Sequence, residues 1–223
     1  MKKWYLYNLF FISVLSLSGQ TVIHELIRNK QGLLDRVVYL EITENSHRKL
    51  KEIDFHDNGN KFREKTFNNN GELSILKEWY RDGQIKMENQ FKKGKKHGLW
   101  SSWYENGIKE SKKEYFSGLT HGSVELWDEK GLLSFKGSFI ADTVKNISLE
   151  NGLITEWYDN GQKKSERHFQ NGQLDGFSNR WYRNGQRMET GKFYNGSGIS
   201  YTWDENGKKI MEKTFENGLP NKN

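Results

Sequence analysis

The sequence predicts an all-β fold, an elongated antiparallel meander of stacked hairpins with a period of about 24 residues. Three observations carry this expectation. An aromatic residue recurs at intervals close to 24, a second aromatic follows each one after twelve residues, and an Asn-Gly or Asp-Gly pair usually lies between them. Composition agrees. The 223 residues include 13 Phe, 8 Trp, 10 Tyr and 22 Gly but one Pro and one Ala, Ala141. A chain short of the best helix former and rich in aromatics and Gly favours strands joined by tight turns. At 34% hydrophobic it lacks material for a thick two-layer core. A thin sheet suits it, because each aromatic buries a large area.

The first aromatic row is Phe55, Trp79, Trp103, Trp127, Trp157, Trp181 and Trp203, at intervals of 24, 24, 24, 30, 24 and 22. The second is Phe67, Phe91, Tyr115, Phe139, Phe169, Phe193 and Phe215. Ile27 and Tyr39, also twelve apart, mark a degenerate first unit expected to act as a cap. Between the rows lie Asn58-Gly59, Asp82-Gly83, Asn106-Gly107, Asn160-Gly161, Asn184-Gly185 and Asn206-Gly207, with Lys130-Gly131 as a weak copy. These pairs predict type I′ turns, with positive φ at both central residues. A second turn follows at Gly71, Gly94, Gly118, Gly172, Gly196 and Gly218. Strands of about six residues and turns of two to five fill such a unit and leave no room for a helix.

Residues two apart in a strand share a face. Leu99, Ser101 and Trp103 therefore lie together, as do Leu153, Thr155 and Trp157, and Phe177, Asn179 and Trp181. Ile199, Tyr201 and Trp203 repeat the pattern. The expected packed face is this Trp ladder, backed by Leu, Phe and Ile. Tyr80, Tyr104, Tyr158 and Tyr182 fall on the opposite, wetter face.

Residues 1–19 read as a secretory signal. Lys2 and Lys3 open it, Trp4 to Leu17 is apolar, and Ser16, Ser18 and Gly19 supply small residues for cleavage. Residues 20–50 form an N-terminal segment containing the cap, and 51–139 the first part of the array. Residues 140–152 are an insertion loop, and 153–223 the second part of the array. The expected location is outside the cell or in the envelope. The chain has no Cys, which excludes disulfides, thiolate metal sites and lipid attachment at the cleavage site. The net charge is +6, or +4 without Lys2 and Lys3. That excess is too mild for a nucleic-acid footprint, and no nucleic-acid partner is expected.

Trp-Tyr-Glu-Asn-Gly at 103–107, Trp-Tyr-Asp-Asn-Gly at 157–161 and Trp-Tyr-Arg-Asn-Gly at 181–185 resemble the variant MORN repeat. So do Gly-Lys-Lys-His-Gly-Leu-Trp at 94–100 and Gly-Leu-Thr-His-Gly at 118–122. The resemblance covers about residues 50–220 and extends to the bacterial YwqK family of toxin–antitoxin antitoxins. It implies a MORN-like repeat array that works by binding, with a toxin among the implied partners.

No catalytic, cofactor or metal site is expected. His97 and His121 fill equivalent slots, but one repeat along means two strand spacings, roughly 9–10 Å, too far apart to share a zinc ion. Backbone hydrogen bonding at the turn is the favoured role. Glu64, Glu88, Glu166 and Glu212 recur five residues after the turn Gly, and Lys61, Lys109, Lys163, Arg187 and Lys209 two after it. A repeated row of carboxylates is a surface feature, whereas a catalytic pair is local, with its two groups in different environments. These rows predict cross-strand ion pairs on solvated faces. Ser46-His47-Arg48-Lys49 matches Ser-x-x-Lys without its companion motifs. Tyr rows can stack on sugars or bases, but packing across the sheet is favoured.

The expected function is non-enzymatic protein binding, with an antitoxin or immunity factor as one form of it. The alternative is a structural or adhesive envelope module that holds glycan, peptidoglycan or a membrane surface. Residues needed for folding recur in every unit, so departures from the consensus are the better binding candidates. These are Asp142, Lys145 and Asn146 in the insertion, followed by the basic row Lys163, Arg187 and Lys209.

Overall fold

The structure, a computed structural model, describes residues 10–17, 20–43 and 46–221. Every helix or strand among them is a β-strand. The basic start of the signal segment and its Ser18-Gly19 cleavage region lie outside the described residues. The end of its apolar run forms β1 (Phe10–Leu17).

The chain divides into two units, Met1–Gly98 and Leu99–Asn223. In the first, β1 is followed by β2 (Gln20–Arg28), β3 (Leu34–Thr43), β4 (Ser46–Phe55), β5 (Lys61–Phe67), β6 (Leu73–Trp79) and β7 (Ile85–Lys92). Each pairs antiparallel with the next. β8 (Lys95–Trp103) carries the chain into the second unit. There β9 (Lys109–Phe116), β10 (Leu119–Trp127), β11 (Leu133–Asp142), β12 (Ile147–Glu150) and β13 (Gly152–Trp157) continue the meander. β14 (Lys163–Gln170), β15 (Gln173–Trp181), β16 (Arg187–Tyr194), β17 (Ser197–Trp203), β18 (Lys209–Glu216) and β19 (Leu219–Pro220) complete it. β11 pairs with both β12 and β13.

The Asn-Gly turns are not type I′. In the turn 158–162, the Tyr158 N–H donates to Gln162 C=O at 2.8 Å and the Gly161 N–H to Tyr158 C=O at 2.9 Å. Gly161 has φ 80°, whereas Asn160 is absent from the residues with positive φ. This is a type I turn closed by a left-handed Gly, and it slips the register by one residue, from Glu156↔Ser165 to Trp157↔Lys163. Its loop is longer than two residues, so only the Gly needs positive φ. The type I′ geometry occurs at five of the second set of turns, while Gly71 closes a turn of the first kind at 68–72. Lys93-Gly94, Ser117-Gly118, Asn171-Gly172, Asn195-Gly196 and Asn217-Gly218 have positive φ at both positions.

A third glycine lies inside a strand, at Gly98, Gly122, Gly152 and Gly176, each with positive φ. It marks a two-residue bulge. Tyr115 faces Thr120, but Lys113 faces Val124. The β16–β17 pair lacks this bulge and keeps one register from Glu189↔Thr202 to Tyr194↔Ser197. Losing two residues is why that interval is 22 rather than 24. The hairpin at Arg28 to Leu34 has the same closing turn, with Gly32 at φ 81°. Its aromatic slot therefore falls on Arg28, one residue beyond Ile27.

The best-buried face is not the one expected. In the second unit Arg167 is directly opposed by Ile154 on one side and Ser178 on the other, followed by Gly191, Ser200 and Lys213. Ile154, Ser178 and Ser200 are 3%, 4% and 3% exposed. By strand alternation Phe193 and Phe215 share this face, their rings 5.5 Å apart. The expected backing row of the Trp ladder is open instead, with Leu99 38%, Leu153 42% and Phe177 42% exposed. Glycine makes the difference. A Cβ on Gly191 would sit 2.6 Å from the Phe193 ring, and one on Gly137 would sit 2.5 Å from Ile154. Without those Cβ atoms, side chains fold down over the sheet and bury much of one face around Gly137 and Gly191.

Candidate functional site

The residues that recur in every repeat are occupied by the neighbouring repeat. The Tyr104, Tyr158 and Tyr182 hydroxyls donate to the carbonyls of Trp127, Trp181 and Trp203 at 2.8, 2.9 and 2.8 Å. His56 fills the same slot, with Nε2 3.3 Å from the Trp79 carbonyl. Burial is the first cause that raises the Tyr104 pKa, followed by Glu110, Glu129 and Asp128. The turn Asn does similar work. Asn58, Asn106 and Asn160 donate to the carbonyls of Arg81, Glu129 and Arg183. Arg81 pairs with Asp57 and Arg183 with Asp159, again one repeat apart. The His slot bonds backbone, as expected. His121 Nδ1 accepts from the Ala141 N–H at 3.2 Å, and Asp175 Oδ2 from Asn195 at 3.3 Å.

The insertion is a hairpin rather than a loose loop. β11 and β12 pair from Phe139↔Glu150 to Asp142↔Ile147 around the turn 143–146. Ten residues, 140–149, stand where the preceding repeat has four, 116–119. Each strand gains two residues and the turn grows from two to four. The six extra residues thus continue the sheet, as the β-branched Ile140 and Ile147 favour.

Asp142, Lys145 and Asn146 come together at this turn. Asp142 Oδ1 accepts the Lys145 and Val144 N–H groups at 3.0 and 3.1 Å. The Lys145 N–H is the first cause that holds the Asp142 pKa below its ordinary value. Lys145 Nζ lies 3.7 Å from Asp142 Oδ2, and Asn146 has φ 57°. Asp142 therefore acts as the turn's organiser and leaves Val144 at the tip 94% exposed.

The basic row lies in register with the Trp ladder. Lys163, Arg187 and Lys209 directly face Trp157, Trp181 and Trp203. Two of the three are paired along their own strands, Lys163 with Glu166 at 2.7 Å and Lys209 with Glu212 at 2.6 Å. Lys61–Glu64 repeats this at 2.9 Å. Cross-strand pairs to the Glu row come instead from lysines outside the basic row, Lys51–Glu64 and Lys77–Glu88, both 3.1 Å. The expected row-to-row pairing therefore runs along strands rather than across them. Arg187 is exposed and has no ion-pair partner among the described residues.

The open row on this face was not evident in the sequence and lies beyond the neighbouring row of Thr155, Glu166, Asn179, Thr190 and Tyr201. Leu153 faces His168, whose ring is 6.3 Å from that of Phe177. Phe177 faces Lys192, which also faces Ile199. Apolar and basic side chains therefore alternate across one face of the second unit. The signal lay in the glycines opposite, Gly137 and Gly191, which draw the packing to the other side.

The family model for the MORN repeat variant matches residues 74–93, 96–116, 150–171 and 197–217. The chain carries MORN repeat variants. The last three matches each run from a strand through the Gly-closed type I turn to the second aromatic. MORN repeats generally mediate protein or membrane-lipid binding and are generally non-enzymatic. No curated relative matches the chain closely enough to extend this.

Proposed function

We propose that this chain is a non-enzymatic scaffold that holds a protein partner on the open face of its MORN repeats. The observation that carries the reading is the alternating row Leu153, His168, Phe177, Lys192 and Ile199. Its apolar members include side chains more than a third exposed. Exposed apolar side chains on a rigid scaffold are characteristic of interaction sites, and Lys192 between Phe177 and Ile199 favours an acidic partner. The row Thr155, Glu166, Asn179, Thr190 and Tyr201 separates it from Lys163, Arg187 and Lys209, which add positive charge further along the same strands. Asp142, Lys145 and Asn146, under the exposed Val144, form a second contact region at the hairpin tip.

Within this reading the partner is a toxin and the chain an antitoxin- or immunity-type factor, supported by the resemblance of the Trp-Tyr-x-Asn-Gly units to the YwqK family. The basic, apolar and small-residue order of residues 1–19 supports export to the envelope or beyond. Intact-mass analysis of envelope material is expected to find a chain beginning near Gly19 or Gln20. Recovery of full-length protein from the cytoplasm alone overturns the export reading.

The binding reading is tested by photo-crosslinking the mature chain in its native envelope, with the crosslinker at Phe177 or, as control, at Lys213 on the other face. A discrete protein adduct from Phe177 and none from Lys213 is the expected result. Adducts with glycan or lipid alone, or no adduct, refute protein binding at this face.

A further inference from the structure

On the Phe-row face of the second unit, two clefts of about 440 and 250 Å³ share Lys113 and Leu126. One end is polar, and the Ser102 and Ser111 hydroxyls there lie 2.7 Å apart. The other is apolar, walled by Tyr115, Phe135 and Phe139. Lys113 stands between them, half-buried and directly opposite Val124. Its ammonium has no ion pair or hydrogen bond among the described residues. The equivalent cation two repeats on, Arg167, has an ion pair, 3.8 Å from Glu156, and lies 5.6 Å from the Phe169 ring centre, although its Nε is buried without a hydrogen-bond partner.

A lysine whose stem lies on apolar surface, with its charge uncompensated, attracts an anion strongly. The apolar wall beside it selects what the anion is attached to. We propose that this cleft takes an acidic–apolar segment of a protein partner, with a carboxylate on Lys113 Nζ and a neighbouring apolar side chain against Tyr115, Phe135 and Phe139. The inference rests on the protein-binding reading above and adds a second contact on the opposite face. Glu110 lines the polar end and repels a second anion, which disfavours a polyanion or an anionic membrane. The Ser102 and Ser111 hydroxyls are placed to meet the segment's backbone.

The test is a titration of the isotope-labelled full chain with the blocked tetrapeptide Gly-Asp-Phe-Gly, followed by amide chemical shifts. Two further probes replace its Asp by Asn or its Phe by Ala. Saturable shifts at Lys113, Tyr115 and Leu126 are expected, with binding on the order of tenfold weaker for the Asn probe. Lys113→Gln is expected to remove the preference for Asp over Asn while the remaining spectrum is unchanged. Equal binding of the Asp and Asn probes, an unaltered preference in Lys113→Gln, or equal shifts with acetate alone overturns the proposal. Failure of the cleft is distinguishable from failure of the broader reading. A crosslinked partner at Phe177 with no probe bound at Lys113 sinks only the cleft. Probe binding without any partner adduct sinks the reading on which it rests.

Discussion

The Tyr of each Trp-Tyr-x-Asn-Gly unit shows how a repeating residue can look functional and be structural. Its position was legible from the sequence, and so was its role in packing. Its partner was not, because the hydroxyl crosses to a backbone carbonyl 23 residues on, which no side-chain pattern reveals. Tyr158→Phe should therefore destabilise by about 1 kcal/mol, the usual net value of one hydrogen bond. Thermal or denaturant unfolding measures this, and no loss would mean that the bond is idle. The faces make a sharper contrast. Phe193 is buried and Phe177 open, so Phe193→Ala should cost about 3–5 kcal/mol and Phe177→Ala much less. Glu52 in the first unit gives a pH signature. Burial pushes its pKa up, but Lys49 and Lys65, each at 2.8 Å, outweigh this and lower it to about 2 from 4.5. A depressed carboxylate stabilises the fold above its unfolded pKa and loses that contribution as pH falls through the folded value. The loss should run from about pH 4.5 to about pH 2, on the order of 3 kcal/mol in all. Glu52→Gln should flatten stability over that window, and an unchanged pH dependence would remove Glu52 as its source.

At the scale of the element, intervals in the sequence were better guides than turn chemistry. The 24-residue period, the twelve-residue offset and the anomalies at 30 and 22 were all visible. Their causes needed register: a hairpin lengthened by six residues in one case and a missing two-residue bulge in the other. Asn-Gly misled because its preference for type I′ turns applies to two-residue loops, and these loops are longer. Two experiments follow from the corrected turns. Asn171 has φ 50°, so Asn171→Ala should cost about 1 kcal/mol and Asn171→Gly close to nothing. Replacing Ala141–Ser148 with Asn-Gly should join Ile140 to Leu149, which already face each other, through a two-residue turn. The shortened protein should stay folded by circular dichroism, since trimming a surface hairpin leaves the repeats on either side intact. Unfolding of this variant would show that the hairpin holds the array together.

For the molecule as a whole, the fold class was legible because every level of the sequence agreed: composition, period, turn residues and strand length. Far-ultraviolet circular dichroism should accordingly show negligible helix. The candidate site was legible only in part. Departures from the repeat pointed to Asp142, Lys145 and Asn146, and the structure gathers these at one turn. The open row through Leu153 and Phe177 was not foreseen, because a single-sheet protein can seal either face and period-2 alternation cannot choose between them. Gly137 and Gly191 make that choice by letting side chains lie flat on one side. Which face carries the core therefore decides where the main binding row lies. The most direct test compares Leu153→Ser/Phe177→Ser with the parent chain, measuring unfolding temperature and affinity for the crosslinked partner in parallel. The account predicts an unfolding temperature within a few degrees of the parent, about the shift of 1 kcal/mol, and affinity at least about tenfold weaker. Global unfolding with undiminished affinity in the remaining folded fraction would contradict it and place the core on the Trp face.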